Sequence, residues 1–451
     1  MGSGVSEGGA TRASRKLFGT DGVRGIAGDF LTAELAVALG RAAASISPAE
    51  APQVLIVRDT RESGEMLEAA LAAGVAAGGG HALLGGVLPT PGASLLVRRY
   101  GFDLAAVVSA SHNPYQDNGI KFFGPDGTKL DDDQEAEIER LLGAPGASHP
   151  GRLRELHGAP ADYLRELEGR FADLSLDGVK VLLDCANGAT HRVAPEIFRR
   201  LGAQVDAVAV EPDGRNINRD CGSTHLDFLV GHLDGHDLGF AFDGDGDRVL
   251  AVDRRGVVVD GDELLALAAL HLRAHDRLPG NGVAVTVMTN YGFHQAMREH
   301  GVEVATTDVG DRNVLGELLQ RGWALGGEQS GHIIDLGFAP TGDGIAAALL
   351  TLEALDGADL ADRSAMRKLP QVLVNVEVSD RDTAIRDPDL RSAIAQESGA
   401  LEGRGRVLVR PSGTEPLIRV MVEAPTDEEA HAICDRLVAS VQAGSAAASG
   451  R

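Results

Sequence analysis

Cysteine is scarce in this sequence, with three residues in a chain of 451. Cys185, Cys221 and Cys434 are too few for a disulfide framework, and no two of them have the spacing of zinc ligands. The composition therefore gives no support to a disulfide-rich secreted protein or to a zinc module. It is typical of a protein from the reducing cytoplasm, which is where we expect this one.

Long apolar runs and excess positive charge are also absent. No uninterrupted apolar segment approaches the ~20 residues that a membrane-spanning helix needs, and residues 1–16 lack the apolar centre of a signal peptide. The 42 Lys and Arg residues face 66 Asp and Glu, which gives a formal net charge of −24. Nucleic acids and anionic membranes require basic surfaces, so we expect neither as a partner. The negative net charge is still compatible with a small anionic substrate, provided that basic side chains cluster at its binding site.

The order of strand-like and helix-like segments predicts the fold class. Three similar units open on the apolar strands 53–57, 180–184 and 283–288, and each continues into a helix-like segment, at 61–77, 193–201 and 292–300 respectively. The last part, with strands near 372–378, 406–410 and 417–422 and a helix-like segment at 427–441, is an α+β pattern. The sequence predicts three similar mixed-sheet α/β domains and a C-terminal α+β domain. Their expected bounds are a flexible extension at 1–15, domains at 16–152, 153–258 and 259–369, and a last domain with a flexible tail at 370–451.

Three aspartates alternate with glycines at 243–247 (DGDGD), directly after a strand-like segment at 238–242. Alternate side chains of an extended backbone point the same way, and the glycines allow the chain to curl around one ion. Carboxylates this close repel one another unless a divalent cation neutralises them, and oxygen ligands suit Mg²⁺. An EF-hand is excluded because Arg248 and Arg254 stand where that loop needs Gly and Glu. A solvated acidic turn is the alternative.

A polar turn, SASHNP at 109–114, ends the strand-like segment 104–109. Ser111 would project from the carboxyl end of a strand, where open α/β sheets bind ligands. A plain serine turn explains the same residues. The only Gly-x-Ser-x-Gly pattern lies at 4–8 in the polar extension, and no Gly-Lys pair occurs. Neither a serine hydrolase nor a P-loop is therefore indicated.

Two further segments are candidates for holding a phosphorylated sugar. RPSGTEP at 410–416, with Arg419 on the next strand, offers two guanidinium groups, two hydroxyls and a glycine amide to a phosphate dianion. GGEQSGH at 326–332 offers a carboxylate and a hydroxyl to sugar hydroxyls, with an imidazole beside them. A polar hairpin and a polar turn are the respective alternatives.

In this order, the four motifs resemble those of the α-D-phosphohexomutase family. The resemblance extends from residue 17 to about 441 and includes FGTDGVRG at 18–25, DCANG at 184–188 and CGSTH at 221–225. Within the family, Gln329 favours the bacterial branch that acts on glucosamine phosphates over the branches that act on glucose or mannose phosphates.

The resemblance implies a role for each motif residue. Ser111 would be a phosphoserine, and its phosphate would help to bind one Mg²⁺ per subunit. The other metal ligands would be Asp243, Asp245 and Asp247. The residues implied to act near the reacting groups are Ser111, Lys121, Arg24, His332 and Arg248. Those implied to hold the sugar are Glu328, Ser330 and His332. Those implied to hold the non-reacting phosphate are Arg410, Ser412, Gly413, Thr414 and Arg419.

The resemblance also implies an activity and an architecture. Four domains would surround a central cleft, in which glucosamine 6-phosphate and glucosamine 1-phosphate interconvert through a sugar bisphosphate that also activates the enzyme. The product would feed UDP-N-acetylglucosamine and cell-wall synthesis in a cytoplasmic monomer or homodimer. Gln116 and residues 308–313 (DVGDRN) depart from the family pattern, so substrate contacts from the third domain stay open. Alternatives are the same chemistry on glucose or mannose phosphates, a non-catalytic sugar-phosphate-binding regulator and a metal-dependent phosphatase.

Overall fold

The structure is a computed structural model that describes residues 17–19, 21–412 and 415–449. The extension predicted at 1–15 lies outside these residues. Over the described ranges, none of the helices combines the length and apolar character needed to cross a membrane.

The first part of the chain forms a six-stranded mixed sheet with the order β1-β5-β4-β2-β3-β6. Strands β2, β3, β4 and β6 pair in parallel, whereas β5 is antiparallel to β4 and to β1. Its elements are β1 (Val23–Ile26), α1 (Ala33–Ile46), β2 (Gln53–Arg58), α2 (Gly64–Ala77), β3 (His81–Val87), α3 (Thr90–Tyr100), β4 (Leu104–Val108), β5 (Asp117–Phe123), α4 (Asp132–Leu141) and β6 (Leu153–Glu155).

The second and third parts repeat the plan with smaller sheets, ordered β11-β10-β9-β7-β8 and β13-β12-β14-β15. The elements of the second are α5 (Ala159–Arg170), β7 (Lys180–Asp184), α6 (Val193–Arg200), β8 (Gln204–Val208), α7 (Leu226–Gly231), β9 (Leu238–Phe242), β10 (Val249–Asp253) and β11 (Val258–Val259). Those of the third are α8 (Gly261–Ala274), β12 (Gly282–Thr286), α9 (Tyr291–Glu299), β13 (Glu303–Thr307), α10 (Asp311–Arg321), β14 (Leu325–Gly327), β15 (Ile333–Asp335) and α11 (Gly344–Leu355), with 3₁₀ turns at Pro279–Asn281 and Leu360–Asp362.

The last part is an antiparallel sheet of three strands, β16-β18-β17, covered by helices. Its elements are β16 (Gln371–Glu377), α12 (Arg381–Ala384), α13 (Pro388–Ala400), β17 (Arg406–Pro411), β18 (Leu417–Glu423) and α14 (Asp427–Ser449). Helix α14 continues beyond the predicted end at 441, through most of the segment expected to form a tail. The predicted fold class, three mixed α/β sheets and a C-terminal α+β unit, is confirmed.

Local sequence signals explain where several helices begin. Asp131 and Gln134 form a reciprocal capping box at the start of α4, and the Asp343 side chain caps α11 by accepting from the Ala346 N–H. Helix α2 begins at Gly64, three residues later than the pattern predicts. The difference arises because residues 60–63 form a turn, and this turn contacts the Ser111 loop.

The apolar core shared by the first three units is separate from the core of the last unit. One continuous apolar cluster includes side chains from all three α/β sheets, for example Val107, Phe240 and Val285. The C-terminal unit has its own cluster around Val420 and Leu437. The last unit is therefore packed as a body of its own on a rigid three-part frame.

A buried ion pair joins the last unit to the third. The Arg406 guanidinium donates to the fully buried Glu423 carboxylate at 3.0 and 3.2 Å. It also donates to the carbonyl oxygens of Val287 and Thr289 at 2.9 and 2.7 Å. Glu423 in turn accepts from the Tyr291 N–H at 2.8 Å. Burial raises the pKa of Glu423, and Arg406 opposes that rise.

We expect Arg406→Met to lower the free energy of unfolding by about 3 kcal/mol at neutral pH, because the Glu423 carboxylate stays buried without its cation. Without Arg406 the folded-state pKa of Glu423 lies further above its unfolded value of about 4.3. The loss of unfolding free energy in Arg406→Met is therefore complete above the folded-state pKa of Glu423. It becomes smaller as the pH falls toward the unfolded-state pKa, because the carboxylate is then protonated. Denaturant unfolding at several pH values measures it.

Arg404→Met is the matched control, since Arg404 pairs with Glu429 at the surface of the same unit, where both side chains are partly exposed. We expect Arg404→Met to lower the free energy of unfolding by less than about 1 kcal/mol. Equal, pH-independent losses in the two variants would contradict the interpretation.

Candidate active site

Ser111 lies in the turn that follows β4, at the carboxyl end of the strand as predicted. Its backbone adopts a φ of 51°, the left-handed region that a non-glycine residue rarely enters. The side chain is buried, and its Oγ–H donates to Asp243 Oδ2 at 2.5 Å. The turn thus holds the Ser111 backbone in a strained conformation, and this conformation points the hydroxyl at the aspartate triplet.

The triplet Asp243, Asp245 and Asp247 occupies the connection between the antiparallel strands β9 and β10. The three side chains are buried, and their ligand oxygens lie within 4.8 Å of one another. The expectation of extended backbone is wrong in detail: the segment is a turn, because Gly246 has a φ of +74°. The carboxylates converge through this turn rather than through strand alternation.

Gly244 allows the two turns to meet. A Cβ atom at this position would lie 2.6 Å from the carbonyl oxygen of Ser111, closer than Cβ atoms approach other atoms. Any other residue at 244 would push the serine turn and the aspartate turn apart. The glycine is therefore needed for close approach as well as for chain bending.

Lys121, on β5, supplies a buried cation to the triplet. Its Nζ donates to Asp245 Oδ2 at 2.7 Å and lies 3.7 Å from Asp247 Oδ2. Burial alone would lower the pKa of Lys121, but the carboxylates of Asp21, Asp245 and Asp247 hold that pKa well above its ordinary value. The lysine is therefore an ammonium ion across the accessible pH range.

Arg248 and Arg24 add further positive charge. The Arg248 guanidinium lies 3.8 Å from Asp247, and its backbone N–H donates to Asp243 Oδ1 at 3.2 Å. Burial would lower the pKa of Arg248, but the aspartates raise it. Arg24 lies on β1, which pairs with β5, and its guanidinium pairs with Asp21. Lys121 and Arg248 thus both lie against Asp247, and Arg24 is linked to them through Asp21, which is 3.9 Å from Lys121 Nζ.

The three carboxyl groups are not electrically equivalent. Burial and the neighbouring charges of Asp247 and Asp245 raise the pKa of Asp243. Burial acts in the same direction on Asp245 and Asp247. Lys121 nevertheless lowers the pKa of Asp245, and His332 with Lys121 lowers that of Asp247. Asp245 and Asp247 are therefore ionised, whereas Asp243 resists ionisation until another positive charge arrives.

The residues present fit a divalent cation. Asp245 Oδ1 and Asp247 Oδ1 are buried and have no hydrogen-bond partner within the described part of the chain. Such orphaned charged oxygens are costly, and a cation bound between them would remove that cost. An all-oxygen ligand set is the one that Mg²⁺ prefers.

His332, at the end of the turn that joins β14 and β15, lies against the triplet. Its Nδ1 is 3.7 Å from Asp247 Oδ2, and its Nε2 accepts from the Gly342 N–H at 3.1 Å. Only 2% of the residue is exposed. Burial would lower the pKa of His332, but Asp247 and Asp311 raise it. The imidazole thus faces a candidate metal ligand with one nitrogen and the backbone with the other.

Glu328 and Ser330 lie in the same turn, nearer its tip. Glu328 is half-buried, and its Oε1 accepts from the Gly310 N–H at 3.0 Å, whereas Ser330 is exposed. Gln329 donates to Asp260 Oδ2 at 3.3 Å. The backbone of this turn also contacts β10, since the Val249 N–H donates to the Gly331 carbonyl at 3.1 Å. The turn is thereby anchored beside the aspartate triplet.

The predicted phosphate motif lies on the C-terminal unit. Arg410 on β17 is directly opposite Arg419 on β18, so the two side chains share one face of the sheet. Two like charges in this position repel each other unless an anion lies between them. Ser412 is buried, and its Oγ accepts from the Glu415 N–H at 3.3 Å. Gly413 and Thr414 lie outside the described residues.

The structure adds four polar residues to this cluster beyond those predicted, namely Asp21, Thr90, Lys129 and Asp311. Thr90 donates to Asp245 Oδ2 at 2.5 Å. Lys129 is a buried lysine that contacts Asp21 and, at 2.5 Å, Asp311 of the third unit. Only Asp21 lay within a quoted motif. The other three are isolated polar residues with no diagnostic spacing, although Asp311 falls in the departing stretch 308–313.

Family models of phosphoglucomutase/phosphomannomutase match four successive parts of the chain. Alpha/beta/alpha domain I matches residues 15–146, domain II 161–256, domain III 260–372 and the C-terminal domain 373–440. The chain belongs to this family. Phosphoglucosamine mutase of Moorella thermoacetica is a relative with 52% identity over 428 residues, covering 92% of this chain and 96% of that protein.

Solved structures of family members share the fold. A phosphoglucomutase/phosphomannomutase family protein from Burkholderia thailandensis is 25% identical, with a TM-score of 0.80 and coverage of 95% and 97% of the two chains. N-acetylphosphoglucosamine mutase from Aspergillus fumigatus, solved in complex with GlcNAc-6P and magnesium, is 19% identical, with a TM-score of 0.66 and coverage of 96% of both chains. The latter likeness concerns the fold alone.

We expect Asp245→Asn to weaken divalent-cation binding by at least ~100-fold, since even groups one shell beyond a metal ligand affect affinity by ~10–100-fold. Titration with Mn²⁺, followed by electron paramagnetic resonance, measures the affinity without turnover. Asp206→Asn is the control, because the Asp206 side chain is 79% exposed in the same domain. Unchanged affinity in the Asp245 variant would remove the triplet from consideration as the metal centre.

Proposed function

We propose that this protein is a phosphoglucosamine mutase, which interconverts glucosamine 6-phosphate and glucosamine 1-phosphate through a phosphoserine at Ser111. The observation that carries the proposal is the 2.5 Å contact of the Ser111 hydroxyl with Asp243, in a chain that is 52% identical to a phosphoglucosamine mutase over nearly its whole length. As part of this proposal, the enzyme would work in the cytoplasm, as a monomer or homodimer, and would supply precursors of amino-sugar polymers.

Asp243, Asp245 and Asp247 would hold one Mg²⁺ together with an oxygen of the phosphorylated serine. When bound, the ion supplies the positive charge that lets a phosphoserine, which carries nearly two negative charges, lie beside ionised carboxylates. The raised pKa of Asp243 fits this arrangement, because that carboxyl gains most from an added cation. The fungal family member solved with magnesium supports the choice of ion.

The reaction proceeds in two balanced phosphoryl transfers. In the first, the O1 hydroxyl of glucosamine 6-phosphate attacks phosphoSer111. The Oγ–P bond breaks, and the proton lost by the sugar ends on Ser111 Oγ. The resulting glucosamine 1,6-bisphosphate turns end for end. In the second transfer, Ser111 Oγ takes the phosphoryl group from O6, which recovers a proton and leaves glucosamine 1-phosphate.

Lys121, Arg248 and Arg24 act by charge in both transfers. The Lys121 ammonium is fixed 2.7 Å from Asp245 and stabilises the negative charge on the transferring oxygens. Arg24 and Arg248 would attract a second phosphate by their positive charge. His332 lies 3.7 Å from the same Asp247 oxygen that Lys121 approaches, Oδ2, and adds a second neighbour to that carboxylate. Because these groups are in position before substrate arrives, little reorganisation accompanies the chemical step.

The sugar and its non-reacting phosphate are held from the other two domains. Glu328, Ser330 and His332 would bind sugar hydroxyls, and the phosphate would lie between Arg410 and Arg419 with Ser412, Gly413 and Thr414 around it. Two opposed guanidinium groups grip either end of a bisphosphate equally well. This symmetry supports a mechanism in which the intermediate reverses its orientation.

Ser111→Ala is expected to abolish turnover while leaving the fold intact, because it removes the hydroxyl that contacts Asp243. Intact-mass analysis should find one phosphate on the wild-type protein and none on the variant. Ser148→Ala, at an exposed loop position, is the control and should keep full activity. Near-wild-type rates in Ser111→Ala would rule out the phosphoserine mechanism, and a wild-type protein that never carries phosphate would favour a binding regulator.

Rates on three substrates should rank glucosamine 6-phosphate well above glucose 1-phosphate and mannose 1-phosphate. We expect kcat/KM to differ by at least ~10-fold, the discrimination that roughly one buried polar contact provides. The extent of Ser111 phosphorylation is measured first, and the protein is activated with sugar bisphosphate, so that all three substrates are tested on enzyme in the same state. A preference for the glucose or mannose substrate would assign the enzyme to another branch of the family, and net phosphate release would indicate a phosphatase.

A further inference from the structure

Arg61 is fully buried, yet it contacts neither the aspartate triplet nor Lys121 in the described contacts. It follows β2 in the turn that delays the start of α2. Its guanidinium donates to the backbone carbonyl oxygens of Ser111 at 2.8 Å, Asn113 at 2.9 Å and Asp117 at 3.0 Å, and also to that of Pro114. One side chain thus holds four carbonyl groups of the 111–117 loop.

A second chain of contacts runs from Arg61 to the amide of Ser111. The Arg61 Nε–H donates to the fully buried Asp59 carboxylate at 2.8 Å. The same carboxylate oxygen accepts from the Ser109 hydroxyl at 2.6 Å, and Ser109 Oγ accepts from the Ser111 N–H at 2.9 Å. Arg61 and Asp59 therefore fix both the amide and the carbonyl of Ser111.

This arrangement overcomes two unfavourable features of the loop. Carbonyl dipoles that converge on one point repel one another, and the left-handed backbone of Ser111 costs about 1–3 kcal/mol in a non-glycine residue. Asn218 of the second domain adds one more donor to the Ser111 carbonyl at 2.9 Å. Arginine suits the central position because its planar group presents five donors in a fixed fork, whereas a lysine has three on a flexible stem.

We propose that Arg61, supported by Asp59, is a positioning residue of phosphoryl transfer. It holds the 109–117 loop in the one shape that points Ser111 Oγ at Asp243, and it does so through the backbone of that loop, without contacting the aspartate triplet. This inference rests on the proposed function, because it concerns the geometry of the nucleophile in that reaction. Misplacement of a reacting atom by about 1 Å costs roughly 100-fold in rate.

A merely structural role for Arg61 predicts a different result. Loss of a structural contact reduces the amount of folded protein, but the molecules that do fold keep a normal kcat. Loss of positioning lowers kcat in protein that is fully folded, while substrate KM and cation affinity stay close to wild type. The separation of kcat from KM and from thermal stability is therefore the decisive measurement.

The experiment compares Arg61→Lys and Arg61→Met, which change a fully buried arginine, with Arg363→Met, which removes a half-buried one. Arg363 pairs with Asp253 and Glu263, away from the Ser111 loop. At a temperature where all variants are folded, we expect both Arg61 variants to lose about 100-fold in kcat, with KM and Mn²⁺ affinity within about threefold of wild type. Arg363→Met should lose thermal stability but keep its kcat within about threefold.

Ser109→Ala covers the case in which neither Arg61 variant folds, since it breaks only the link between Asp59 and the Ser111 amide. We expect a loss of about tenfold in kcat, as for one buried hydrogen bond. An unchanged kcat in folded Arg61 variants, or in Ser109→Ala if those fail to fold, would overturn the positioning role alone. Absence of turnover in the wild-type protein would instead overturn the proposed function, and the positioning role with it.

Discussion

The compensation of buried negative charge organises this molecule. The aspartate triplet lies on a turn between two strands of the second sheet, covered by the first and third domains, where unpaired carboxylates cost several kcal/mol each. The compensating groups come from both neighbours, with Lys121 from the first sheet and His332 from the third. The three domains share one apolar core, so these contacts are held at fixed distances. The electrostatic requirement is therefore met only where three domains join.

The C-terminal domain obeys a different constraint. It has a separate core, and a polar seam built on Arg406 and Glu423 connects it to the third domain. Its two opposed arginines, Arg410 and Arg419, share one face of the sheet, and Arg419 lies 3.5 Å from the Glu415 carboxylate. A domain attached in this way can adjust its angle to a ligand without opening an apolar interface. The groups around Ser111 thus belong to the part with the shared core, whereas Arg410 and Arg419 belong to the separately packed part.

Much of the fold followed from the sequence, because strand and helix periodicities are local. The strands at 180–184 and 238–242 agree with the structure at both ends, whereas α2 starts later than predicted. That helix loses its first turn because Arg61 is drawn into the serine loop. The exception shows where tertiary hydrogen bonds outweigh helix propensity.

The sequence by itself determined the alternating sheets and the two turns, since glycine torsions, strand alternation and a proline after the serine act over a few residues. It could not determine which charges would meet. Lys121 and Asp245 are 124 residues apart, and Lys129 and Asp311 are 182 residues apart, with no spacing signature in either pair. Arg61 likewise resembles any arginine at the end of a strand. Only the packing of separate domains gave these side chains their partners, because electrostatic compensation depends on distance in space and not on order along the chain.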